Sequence, residues 1–256
     1  MLKKILIPIF AIVCLLALWQ FTEVENSKVR IKEGRTTLEA FVPTPITIYE
    51  TLRKEGGLIA SQMGFTLGRA LIGFISGIAL GVFVAILTVR FPLFRRVVLP
   101  ISLGVNSFPI VGFAPLIILA FGQGSNFSII FISIIIAYFP VFISFEHGLM
   151  SAEKGLIETA YVFGASKWQI LSKVRIPLAI PNLLNSLKLA LPASIIGATM
   201  GEWLGSKNGI GQLITIALYQ LRPGLLYASL LSITAVSLIL TFSLGYLTKV
   251  IVPWKK

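Results

Sequence analysis

Catalysis needs nucleophiles, general bases or metal ligands, and this sequence holds few of them. It has one histidine, one cysteine and ten acidic residues, all of them glutamate. His147 follows Glu146 with no cysteine or aspartate cluster beside it, so it lacks the ligand set of a zinc site and reads as an interfacial anchor. Cys14 lies inside an apolar run, where a thiol packs as a small apolar side chain. The patterns G-x-x-x-x-G-K-S/T, H-E-x-x-H and G-x-S-x-G do not occur, so no catalytic residue, metal centre or nucleotide hydrolysis is assigned to the chain.

The other polar residues of interest stand in or beside apolar stretches, where such groups are expensive and have a reason to be present. Asn106, Ser107 and Pro109, with Ser194, Thr199 and Glu202 further on, are the candidates for lining a pathway. Plainer readings stand beside these: Asn106 and Ser107 bridge neighbouring helices by hydrogen bonds, and Glu202 caps the external end of its helix. Gly73, Gly77 and Gly81 recur at every fourth position, a small-residue ridge that lets another helix approach closely.

The elements that position these residues follow from composition. The chain is 56% hydrophobic and only 12% charged, unlike a soluble domain. In a bilayer core every backbone amide must be satisfied within the protein, which leaves helices or a closed barrel. The apolar runs are continuous rather than alternating, so helices are expected. The fold class is all-α integral membrane, with about six transmembrane helices near 5–21, 63–89, 97–121, 127–150, 181–204 and 224–250, in a single membrane domain over 1–256. The first reads as a retained signal anchor, and the fifth, which contains Pro192, as tilted or kinked.

The net charge of +12 invites a nucleic-acid reading, but Lys and Arg also mark the cytoplasmic side of a membrane protein. With the N-terminus inside, basic residues dominate the cytoplasmic segments while the external ones nearly balance. Both termini are therefore expected in the cytoplasm, and no nucleic-acid partner is expected.

That orientation puts the basic loop 151–180 in the cytoplasm. Within it stand Glu158-Thr159-Ala160, then Gly164, then Val174, Ile176 and Pro177. This spacing resembles the EAA loop, E-A-A-x3-G-x9-I-x-L-P, of permease subunits of binding-protein-dependent ABC importers. Thr159 replaces the usual Ala and Val174 the usual Ile. The stretches 41–45 (FVPTP), 109–124 (PIVGFAPLIILAFGQG) and 201–211 (GEWLGSKNGIG) are similar to the nitrate, sulfonate and taurine branch, which includes thiamine-precursor and riboflavin permeases.

The resemblance implies a type I ABC importer fold in a bacterial cytoplasmic membrane, with two copies of the permease forming one pathway. It implies separate ABC ATPase subunits carrying ATP and Mg, an extracytoplasmic solute-binding protein, and no cofactor in this chain. The loop then forms two short helices joined at Gly164 and Ala165, a projection that seats in a groove on the ATPase. Gly164 frees the backbone at the turn, and Pro177 breaks the helix before the chain re-enters the bilayer. Trp168, inside the loop, belongs either to the membrane interface or to the ATPase contact. The rival reading is a secondary transporter or channel working without an ATPase, which would show an intramembrane charge or a broken-helix ion site.

Overall fold

The structure, a computed structural model, describes residue 14, residues 17–21 and residues 42–251. The helix expected over 5–21 lies mostly outside these; its described residues are helical. The labelled helices are α1 (Pro45–Arg90), α2 (Pro92–Ser107), α3 (Ile110–Phe121), α4 (Asn126–Met150), α5 (Lys154–Val162), α6 (Lys167–Ile170), α7 (Ile176–Gly205), α8 (Ile210–Tyr219) and α9 (Pro223–Ile251). Among the described residues four helices are long and apolar enough to cross a bilayer, and five if the bent pair α2 and α3 makes one span.

α4 is the centre of the molecule. Ile129, Ile132, Val141, Phe142 and Leu149 are fully buried on it, because α1 packs on one side and α7 on the other. The glycine ridge sets the first of these contacts. A Cβ on Gly77 would lie 2.8 Å from that of Ala137, one on Gly81 2.9 Å from that of Val141, and one on Gly73 2.5 Å from that of Ser133. Gly197 does the same from α7, where an added Cβ would come within 2.7 Å of the Ser133 Cα. Ser133, held between them, donates its hydroxyl to the Ser194 carbonyl at 2.7 Å.

Four features differ from the sequence reading. α1 begins at Pro45 rather than near 63, started by Thr44, whose hydroxyl accepts the Thr47 amide. Its added turns expose Glu50, Arg53 and Lys54, while Ile48, Leu52, Ile59 and Met63 pack together against α8 and α9 and Glu55, on that same face, pairs with Arg222. The span expected over 97–121 is two helices at 105°, because Pro109 holds Phe108 in an extended conformation. α8 fills what read as an external loop, and its ten residues are too few to cross a bilayer.

The fourth concerns Pro177, which does not break its helix. α6, a π-helical turn over Leu171–Arg175 and α7 form one continuous rod from Lys167 to Gly205. The Ile176 amide reaches back five residues to the Leu171 carbonyl. That widened turn takes up the ring and missing amide of the proline that follows.

Candidate functional site

The loop after α4 is built from local capping signals. α5 ends in a Schellman turn: Gly164 sits at φ +75°, its amide donates to the Tyr161 carbonyl at 2.9 Å, and the Ala165 amide to Ala160 at 3.0 Å. Ser166 then starts α6 with a reciprocal capping box, its hydroxyl accepting the Gln169 amide at 3.3 Å while its own amide donates to Gln169 Oε1 at 2.7 Å. Ile170 and Leu171 bury the root of this hairpin, and Ile176 packs beside Leu171 in the same cluster.

Its tip is bare and apolar. Val162 and Phe163 are each 85% exposed, and Leu156, Tyr161 and Trp168 are exposed around them. Glu158 and Thr159 stand exposed on α5, Ala160, Ala165 and Val174 are half-buried, and Pro177 is exposed. Apolar groups concentrated on one exposed projection fit a surface covered by another protein or by a membrane.

The pathway candidates separate into two groups. Asn106, Ser107 and Pro109, at the break between α2 and α3, line a cavity of about 370 Å³ together with Ser102, Tyr138 and Phe139. Thr199 lies outside that lining and donates to the Ile195 carbonyl of its own helix. Ser194 and Glu202 are fully buried among packed helices, which excludes both from lining a passage in this conformation.

Glu202 does not cap its helix either; it is the hub of a buried latch. Arg69 Nη1 donates to Glu202 Oε1 at 2.7 Å, and Thr66 Oγ1 and the Gly211 amide donate to Oε2 at 2.7 and 3.1 Å. Arg69 also donates to the Asn126 side chain at 3.0 Å and to the Asn208 carbonyl at 2.9 Å. The Ile210 amide donates to Thr66 Oγ1 at 2.8 Å and the Gly209 amide to Gln62 Oε1 at 2.6 Å. One carboxylate thereby ties α1, the start of α4, the end of α7 and the turn before α8. A Cβ on Gly209, at φ +108°, would strike that carboxylate, so the turn closes down on it. Sequence reasoning missed Arg69, Thr66, Gln62 and Asn208, since the Arg69 and Glu202 partners lie 133 residues apart.

The family of binding-protein-dependent transport system inner membrane components matches residues 77–256. The chain belongs to this permease family. A probable ABC transporter permease of Haemophilus influenzae is 30% identical over 95% of this chain and 96% of its own. The formylaminopyrimidine transport permease ThiX of Halalkalibacterium halodurans is 27% identical over 84% of this chain and 86% of its own. A crystal structure of an amino acid ABC transporter with histidines shares the fold, with a TM-score of 0.61 at 18% identity over 78% of this chain and 95% of that one. Sulfonate and taurine permeases are among the further relatives, which sets the chain in that branch.

As an ABC importer permease, this chain is a multi-pass inner membrane protein that passes small solutes, and a separate ATPase subunit hydrolyses the ATP.

Proposed function

We propose that the loop 151–180 is where the ATPase docks, that two copies of this chain enclose the pathway, and that both termini face the cytoplasm. An external binding protein delivers the solute. The observation that carries the docking assignment is the apolar tip of Val162, Phe163 and Trp168, raised on a capped hairpin whose root is continuous with α7. Movement of the ATPase against that tip is transmitted along one unbroken rod into the bilayer. Glu158, Thr159 and Ala160 form the α5 side of the contact, and Ala165, Val174, Ile176 and Pro177 support it.

Asn106, Ser107 and Pro109 are proposed to line the passage. Their cavity has hydroxyl and amide groups from Ser102, Ser107, Asn106 and Tyr138, aromatic walls from Phe108 and Phe139, and no cationic lining residue. That chemistry suits an uncharged planar heteroaromatic solute, of the class in the name of the formylaminopyrimidine relative, better than a sulfonate or nitrate anion. Calorimetric titration of the partner binding protein with both classes tests this; tight binding of a sulfonate alone overturns it.

Docking is tested by replacing Phe163 with Asp and Glu158 with Lys and purifying the transporter through the tagged permease. The expected outcome is normal membrane insertion with at least tenfold less recovered ATPase, as fits the loss of a buried apolar anchor. Wild-type recovery and uptake in both variants would sink the assignment.

A further inference from the structure

A second, smaller cavity, of about 100 Å³, lies at the root of the hairpin and plays no part in the reading above. It is lined by Val89 and Arg90 at the end of α1, Tyr161 on α5, Lys167 and Ile170 on α6, and Leu171 and Arg175 of the π-helical turn. Three cations from three elements converge here with no acidic residue among the lining. Arg90 and Lys167 have no ion pair or side-chain hydrogen bond among the described residues; the Arg90 guanidinium only stacks over the Phe91 ring at 5.1 Å. Arg175 uses Nη1 alone, donating to the Leu149 carbonyl at 3.1 Å and to Met150 Sδ at 3.7 Å.

Local structure accounts for Arg90, in the last turn of α1, and for Arg175, which caps a carbonyl at the end of α4, but not for Lys167 or for the convergence of the three. A cation at Lys167, in the first turn of a helical rod, opposes the helix dipole, and three like charges around one small space repel each other. An anion between them reverses both effects. At about 100 Å³ the cavity has room for one tetrahedral oxyanion. Val89, Ile170 and Leu171 form an apolar wall beside the end of the spanning helix α1.

We propose that this cavity binds a phosphate group, held by Arg90, Lys167 and Arg175 with the Tyr161 hydroxyl as a further donor. Basic pockets between transmembrane helices recognise anionic lipid headgroups in this way, and soluble phosphate offers the same chemistry. The site shares Tyr161 with the exposed tip, but its whole lining comes from this chain, so it can be tested without the ATPase.

The test titrates the full-length chain in a nonionic detergent with dioctanoyl phosphatidylglycerol, with dioctanoylglycerol, which lacks the phosphate, and with inorganic phosphate, following binding by thermophoresis. Saturable phosphatidylglycerol binding is expected, weakened about thirtyfold in R90Q/K167Q at roughly fivefold per lost charge. The surface pair K154Q/K173Q leaves it unchanged. Tyr161→Phe, which removes a single hydroxyl and carries little folding risk, weakens it several-fold. Phosphatidylglycerol binding that inorganic phosphate does not displace identifies a lipid source; saturable inorganic phosphate binding lost in R90Q/K167Q identifies a soluble one. Both support the site. Equal binding of dioctanoylglycerol, or wild-type affinity in R90Q/K167Q and Tyr161→Phe, overturns it.

Discussion

At the scale of single residues, the Arg69 and Glu202 pair sets the energetics of the end of the bundle where α7 turns into α8. Both charges are desolvated, and each keeps the other tolerable. Arg69→Met or Glu202→Met alone is expected to destabilise by about 3–5 kcal/mol, because either leaves an uncompensated buried charge. The double replacement removes both charges and should recover much of that loss. Thermal unfolding of the four proteins in detergent measures the coupling, and additive losses would show that the pair is not energetically joined. A second residue stores strain in the turn after α8. Leu221 sits at φ +52° in a position that ordinarily takes glycine, between an amide donated to Leu218 and the Arg222 amide donated to Ala217. Its side chain is exposed, so Leu221→Gly gives up little packing and is expected to stabilise the chain by about 1 kcal/mol, read as a higher unfolding temperature. An unchanged or lower temperature would contradict this.

At the scale of elements, close helix packing depends on which glycines face a neighbour. Gly77 meets Ala137 with no room for a side chain, whereas Gly64 and Gly68 on the same helix meet nothing within 4 Å. Gly77→Val should therefore push α1 off α4 and lower stability by several kcal/mol, about the scale of a strongly overpacked site. Gly68→Ala should be neutral or slightly stabilising, by up to about 1 kcal/mol, through helix propensity. Similar losses for both variants would mean that the ridge is not the contact. The ridge was legible in the sequence because a period of four is a local signal, and so was the helix, Gly164, helix order of the loop. The extension of α1 to Pro45 was not, because charges at 50 and 53–55 conceal the Ile48, Leu52 and Ile59 face from a hydropathy reading. The continuity through Pro177 was hidden for another reason: a proline reads as a helix end, and a π turn leaves no composition signal. The Arg69 latch is a tertiary pairing that no local pattern reports.

At the scale of the whole molecule, the two polar ends differ in character. One end is locked: α1, α4, α7 and α8 meet around Glu202, and Arg222 pairs with Glu55 between α1 and the turn before α9. The other end is open, with the apolar hairpin tip standing free and α2 joined to α4 through the Arg95 and Glu146 ion pair at 2.5 Å. On the orientation proposed from charge asymmetry, the locked end lies outside and the hairpin end in the cytoplasm, where an ATPase would work the rod as a lever. Cysteine labelling decides that point. With Cys14 replaced by Ser, a lone cysteine at Tyr219, which is 83% exposed, should react with a membrane-impermeant maleimide on intact cells stripped of any outer barrier. A lone cysteine at Val162 should react only after lysis, and should be protected again when the ATPase subunits are co-expressed. The reverse pattern would put the hairpin outside, beyond the reach of any ATPase. Labelling at both positions without lysis would indicate leaky membranes, which a cytoplasmic marker enzyme assayed in the same sample detects.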